Sequence, residues 1–294
     1  MSIYPLKKAR LRVKIYKKAC EVHMLREILK FNIMEHEIEL HTYVEEGKSN
    51  KDAVLIFPGG GYAMLSTDRE GVAIANAYYE RGFNAFVLHY AVGAEHKYPS
   101  HLIDASFAIT YLKKNSDKLG IDPERIFTVG FSAGGHLSGS MAILHKDPEV
   151  LAYLGIEKGD NKPCGSILAY PVVSANVDTH EGSFVMLAGK PFSAITPEEK
   201  KKLSIEDNVD ADSAPVFIWH TSDDSVVPVL GSLKLAEAYY SIGRAVTLHV
   251  YPYGPHGIAL ANEETSCGNS EWVQPLAQGW VDESVRWIKA VKSY

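Results

Sequence analysis

The sequence predicts an α/β domain, a mostly parallel central sheet with helices on both faces. Three observations carry this prediction. Continuous apolar runs recur along the chain, among them AVLIFP (53–58), RIFTVG (125–130), GSILAYP (165–171) and APVFIWHTS (214–222), as expected of strands covered on both faces. Helix-period segments separate them at a regular rhythm, the pattern of a parallel sheet. One run, RIFTVG, leads into a serine with a glycine two residues before it and another two residues after, directly ahead of a helical pattern.

Taken in order, residues 1–35 read as a basic arm. Residues 1–30 hold nine Lys or Arg against two Glu, a net of +7, while the rest of the chain carries 21 basic and 34 acidic residues, a net of −13. The arm lacks the glycine-rich and aromatic-stacking pattern of a nucleic-acid module, so no nucleic-acid partner is expected. It is expected to dock on the acidic body of its own or a neighbouring subunit, which makes it a candidate homo-oligomer contact. HEIELHTYV (36–44) then alternates like a half-buried strand and opens the main domain, 36–294. The run 53–58 ends in PGGGY. Residues 70–81 read as a helix, NAFVLHY (84–90) as a strand, and 101–115 as a helix with apolar residues at 102, 103, 107, 108 and 112. The strand RIFTVG, the helix SAGGHLSGSMAILH and the strand at 165–171 follow. APVFIWHTS, a helix at 229–241, AVTLHVYP (245–252) and a last helix at 277–291 complete the chain.

The rhythm breaks at 173–213, a mixed polar, glycine and proline segment with the charged run PEEKKK where a crossover helix would suffice. Insertions of this length inside a compact domain are usually functional, so it is expected to form a lid or pocket wall. No apolar stretch approaches the roughly 20 residues of a membrane span, and no apolar segment follows the basic N-terminus as in a secretory signal. Three widely spaced cysteines, Cys20, Cys164 and Cys267, form neither a disulfide framework nor a zinc pattern. A cytoplasmic protein is expected. None of the 12 histidines shows HExxH or facial-triad spacing, so neither a metal nor a cofactor is expected.

The chemistry starts at Gly130-Phe131-Ser132-Ala133-Gly134, a G-x-S-x-G between a strand and a helix. Such a turn holds the serine out on a strained backbone, and side chains two residues away on either side would collide. Gly135 and Gly139 would let the helix lie close to the sheet. A serine hydroxyl needs a base held in one tautomer by an acid. Asp223 and Asp224 follow one later strand and His256 the next, each at the end where a parallel sheet presents its loops. Backbone donors for a developing oxyanion would come from Ala133 and from the loop FPGGGYAML, through Gly60 and Gly61. Tyr62, Phe184 and Phe192 are candidates for a substrate-binding lining.

The set PGGGY, DPERIFTVGFSAGGHLSG, HEGS, FIWHTSDDSVVPV and LHVYPYGPHGIAL resembles the α/β-hydrolase esterases of the dienelactone hydrolase and acetyl-xylan-esterase-like group, the BD-FAE-like and hormone-sensitive-lipase-like enzymes. The resemblance covers residues from about 36 to the C-terminus. It implies an α/β-hydrolase fold with a lid-like insertion and a carboxylesterase using Ser132, His256 and an aspartate. It favours Asp223, the first of the pair, as the acid. It also implies a small-molecule ester as substrate, with a short acyl group and an acetylated carbohydrate among the options. Pro58 stands where many such enzymes carry a histidine before their glycines, so the support of that loop must differ. His136 is implied to be structural, and Asp104 is read as a buried carboxylate ordering nearby loops. Two alternatives stay open: an amide hydrolase of the arylformamidase or peptidase type, and a non-catalytic ligand receptor on the same fold.

Overall fold

Strand formation follows the apolar runs. The computed structural model describes residues 8–11, 24–47 and 49–291. Most of the basic arm, and with it the expected docking of that arm and Cys20, lies outside them. Among the described residues the strands are β1 (Lys8–Leu11), β2 (Met24–Leu25), β3 (Ile28–Ile33), β4 (His36–Glu45), β5 (Lys51–Phe57), β6 (Asn84–His89), β7 (Ile121–Phe131), β8 (Gly165–Ala169), β9 (Val216–Thr221) and β10 (Val246–Tyr251). They form one sheet in the order β1-β3-β4-β6-β5-β7-β8-β9-β10, with β2 on β4. From β6 to β10 every pairing is parallel, and β4, β3 and β1 extend the sheet antiparallel. This is the predicted architecture.

The helices are α1 (Ala73–Glu80), α2 (Ser100–Lys114), α3 (Ser116–Leu119), α4 (Ala133–Leu144), α5 (Pro148–Leu154), α6 (Glu181–Ala188), α7 (Pro197–Leu203), α8 (Leu230–Ser241) and α9 (Trp280–Ala290). Alternate residues of the central strands feed opposite faces: Leu55 and Phe57 of β5 pack with α2 and α4, Val54 and Ile56 with α1 and α9. All four are wholly buried, so each face loses apolar surface worth about 25 cal/mol per Å². That two-sided burial explains why β5 reads as a continuous apolar run.

Two segments carry secondary structure that the sequence reading did not assign. The stretch assigned to a basic arm contains β3, whose ILKFNI buries Leu29, Phe31 and Ile33 in the core while Lys30 faces Glu37 and Glu39 of β4 at 2.7 Å each. The alternation was present, but it lies within a run of basic residues, and charge there marks one face of a strand paired between β1 and β4. The insertion 173–213 is ordered too: it carries α6, α7 and two 3₁₀ turns, Phe192–Ala194 and Ile205–Asn208. A capping box between Thr196 and Glu199 starts α7, and Phe184, Leu187, Ile195 and Leu203 join the α2–α4 core.

Candidate active site

Ser132 stands between β7 and α4 with φ 54° and ψ −116°, a conformation that costs a non-glycine residue of order 1–3 kcal/mol. The neighbours explain how the turn closes. A Cβ on Gly130 would lie 2.0 Å from the Gly134 carbonyl oxygen, and one on Gly134 would lie 2.0 Å from that of Phe57. Only glycine allows these approaches. The Ser132 amide donates to Ala169 O at 3.0 Å, and its carbonyl accepts from Val172 at 3.1 Å, fastening the turn to the end of β8.

His256 Nε2 lies 2.8 Å from Ser132 Oγ, and its Nδ1 lies 2.7 Å from Asp224 Oδ2. Asp224 occupies the position the sequence reading gave to Asp223. The correction has a plain physical cause. Asp223 is exposed at the turn after β9, whereas the Asp224 carboxylate is completely buried. Asp224 Oδ1 accepts the amides of Val226 and Val227 at 3.0 and 2.9 Å, and the buried imidazole of His220, from β9, lies 3.3 Å from Oδ2. Burial pushes the Asp224 carboxyl up, but the hydrogen bonds from His220, His256 and Val227 outweigh it and hold the group well below the usual carboxylate range. Its charge fixes the His256 tautomer: Nδ1–H faces Asp224, and the Nε2 lone pair is left for the serine proton.

The glycine loop after β5 lies against this group. A Cβ on Gly59 would be 3.0 Å from Ser132 Cβ. Gly60 (φ 131°) and Gly61 (φ 65°) take left-handed backbone conformations, and neither amide donates to another group among the described residues. Ala133 is the first residue of α4, so its N–H precedes the helical ladder. Tyr90 donates to the Pro58 carbonyl at 2.6 Å and buttresses the loop without a histidine at 58.

The three lining candidates fare differently. Tyr62 and Phe184 are 1% and 0% exposed, so they are core side chains, a correction to the expected lining. The Tyr62 hydroxyl donates to His136 Nδ1 at 2.8 Å, His136 Nε2 donates to Leu203 O at 2.8 Å, and Phe184 packs edge-on to the same imidazole. His136 therefore ties α4 to the end of α7, and burial holds it neutral, its pKa pushed down to about 4. Phe192 is partly exposed and packs on Phe184 with Lys200 over its ring. Asp104 is buried and bridges His36 and the Ala91 amide, ordering the segment after β6.

Sequence reasoning missed two neighbours of the site. His180, from the HEGS motif, would stand 3.5 Å from a Cβ on Gly61 and is electrostatically coupled to His256. Tyr170, at the end of β8, sets its ring edge-on to His256, centroids 5.0 Å apart. HEGS was a usable signal for the first, whereas nothing in LAYP marks the second. As for metals, one set of three groups among the described residues brings ligand atoms within 4.8 Å: Glu39, His41 and His89, on β4 and β6. Its carboxylate is engaged by Lys30 and His41, and the two imidazoles stack at 4.0 Å instead of converging. Cys164 and Cys267 are free thiols. No helix among the described residues is long and apolar enough to cross a membrane.

Comparison with known proteins bears on the family and the fold. Residues 40–239 match the family model described as BD-FAE. Endo-1,4-beta-xylanase B of Butyrivibrio fibrisolvens is 37% identical over 78% of this chain and 36% of its own length. The acetylxylan esterase of Xylanibacter ruminicola is 28% identical over 74% of this chain and 43% of its own. The chain thus spans roughly two fifths of these two curated relatives. Among solved structures, an acetyl ester-xyloside bifunctional hydrolase from Caldicellulosiruptor lactoaceticus superposes with a TM-score of 0.73 at 33% identity, covering 87% of this chain and 89% of that one.

Proposed function

This chain belongs to the BD-FAE family, and from that premise we propose that it is a serine carboxylesterase for short-chain acyl esters, acetylated carbohydrates being its substrate class. The observation that carries this reading is the continuous hydrogen-bonded line Ser132–His256–Asp224, with distances of 2.8 and 2.7 Å, at the C-terminal edge of the parallel sheet. The relatives contribute the substrate class, since they are named as an acetylxylan esterase and an acetyl ester-xyloside hydrolase.

In this mechanism Ser132 Oγ attacks the ester carbonyl as its proton passes to His256 Nε2. Asp224 stabilises the resulting imidazolium. The amides of Ala133 and of Gly60 or Gly61 receive the oxyanion, a contribution typically of about 3–4 kcal/mol per donor. The tetrahedral adduct collapses with loss of the alcohol, which takes the proton from His256. Water, deprotonated by the same imidazole, then attacks the acyl-serine and releases the carboxylic acid, restoring Ser132.

Hydrolysis of p-nitrophenyl esters from acetate to octanoate tests the reading. Wild type is expected to cleave acetate best, and Ser132→Ala to lose at least about 10³-fold in kcat. Acetylated xylo-oligosaccharides form the next panel. Labelling of Ser132 by a fluorophosphonate without turnover of any ester would move amides to the front, and absence of both reactions would sink the hydrolase reading.

A further inference from the structure

One turn ties the loops of the site to each other. Arg69 and Glu70 are adjacent in the π turn Asp68–Val72 that leads into α1. Arg69 reaches outward to the His256 loop: Nη2 donates to Gly257 O at 2.5 Å, Nε donates to Thr265 O at 2.7 Å, and the guanidinium lies 3.7 Å over the Trp272 ring. Glu70 turns inward and is 4% exposed. Its Oε2 accepts the Gly59 amide at 2.9 Å, and its Oε1 accepts the Tyr170 hydroxyl at 2.8 Å. Tyr170 Oη accepts the Ala259 amide at 3.0 Å, three residues past His256, and the tyrosine ring meets the His256 ring edge-on at 72°. The glycine loop, the end of β8 and the histidine loop therefore converge on one carboxylate.

The hydrogen bonds around it suit a carboxylate. Tyr170 Oη accepts the Ala259 N–H, and its own O–H donates to Glu70. Gly59 donates to the other oxygen, so both carboxylate oxygens serve as acceptors. We propose that Glu70 is a positioning residue of this active site: as a carboxylate it registers the Gly59–Gly61 loop against the His256 loop through Tyr170, and it supplies a second fixed negative charge to the imidazolium formed at His256. The inference rests on the carboxylesterase reading above. A buried carboxylate is a weak stabiliser in itself. Beside a group that becomes cationic during the reaction, a preoriented one acts on the transition state.

Burial raises the Glu70 carboxyl above its ordinary range, and Tyr170, the Gly59 amide and the charges of His256 and Arg69 offset that rise only in part. Burial first, and then the same carboxylate, push up Tyr90 as well as Tyr170. Ser132, Asp224 and the Tyr170 ring meet His256 directly, while Glu70, behind Tyr170, and His180, from the segment before α6, act on it through their charge.

The test is the pH dependence of kcat and KM for p-nitrophenyl acetate, with the rate of Ser132 labelling by a fluorophosphonate measured in parallel. Glu70→Gln keeps the shape but turns one acceptor into a donor. It is expected to lose roughly 10–100-fold in kcat with KM within about threefold. Loss of a negative charge makes the imidazolium harder to form, so the acid limb of kcat/KM moves to lower pH, by about half a unit. Glu70→Asp, which keeps the charge, returns that limb toward wild type. Tyr170→Phe removes the hydroxyl that joins Glu70 to the Ala259 amide but leaves the Glu70–Gly59 bond and the charge in place, and loses less, about 5–20-fold. Wild-type kcat and an unmoved acid limb in Glu70→Gln would overturn the proposal. So would a loss confined to the fraction of sites that titrate with the fluorophosphonate, which marks a merely structural role. If Glu70→Gln does not fold, Tyr170→Phe decides, and wild-type kcat in that variant is the refuting result. The labelling rate needs no acyl substrate: a wild type that labels but cleaves no ester defeats the esterase reading, while a slower-labelling Glu70→Gln still supports the positioning role.

Discussion

The loops that follow β7 and β9 each place one side chain at the proposed reaction centre, but they do so by different physics. After β7, backbone crowding leaves one solution: carbonyl oxygens 2.0 Å from where side chains at 130 and 134 would begin admit only glycine, and Ser132 is held at φ 54° between them. After β9, two identical residues compete, and the choice falls to the one whose carboxylate is buried within reach of the amides of Val226 and Val227, the imidazole of His220 on the strand and His256 from the next loop. A steric motif is written in the local sequence. A hydrogen-bonded burial site is assembled from several elements.

The largest effects probe that contrast at β9. Asp224→Asn is expected to lower kcat by about 10³–10⁴-fold, the size of loss seen when a triad histidine is left in the wrong tautomer. Asp223→Asn, at an exposed position, is expected to stay within about threefold. Steady-state kinetics on p-nitrophenyl acetate separates the two, and equal losses would mean that the local turn, not burial, selects the acid.

At β7 the corresponding test is stability. Gly134→Ala drives a Cβ into the Phe57 carbonyl. The expected cost is about 3 kcal/mol, read as a fall in the urea midpoint at unchanged slope.

Next in size is a pH effect on the α4–α7 tie. His136 titrates at about 4 when folded against about 6.5 unfolded, so the unfolded state binds its proton more readily. Its contribution is intact above pH 6.5 and is lost as pH falls from there toward 4. His101, also buried and pushed down to about 3, adds to it with the same sign. Urea unfolding at pH 7.5 and 5.0 should differ by on the order of 2 kcal/mol for each such histidine.

The smallest expected effect is Tyr62→Phe. It removes the donor to His136 Nδ1 and should cost about 1 kcal/mol in urea unfolding while leaving kcat within about twofold. A large loss of kcat with little change in stability would return Tyr62 to the substrate-binding role that its burial argues against.

Much of the molecule was legible in the chain. The parallel strands and most helices lie within a few residues of the predicted segments, because a strand buried on both faces leaves an uninterrupted apolar run such as VLIF in β5. β3 escaped because alternation within a basic stretch was taken as charge alone. Ser132 and His256 were legible as candidates because each follows a strand whose end is marked by a turn signal. Burial of Tyr62 and Phe184 was not legible: an aromatic residue beside a glycine loop or inside an insertion reads the same whether it lines a cleft or fills the core behind it.

By itself, then, the sequence determined what depends on neighbours along the chain: the α/β rhythm, the glycine-flanked serine and the order serine, aspartate, histidine. Tertiary structure decided what depends on who is buried beside whom: Asp224 over Asp223, the joining of α4 to α7 through His136, and the meeting of Gly59, Tyr170 and Ala259 around Glu70. The reason is the range of the forces. Steric clashes act within a few residues and leave a readable pattern, whereas the energy of a buried charge is set by donors up to 100 positions away in sequence, as with Tyr170 and Glu70.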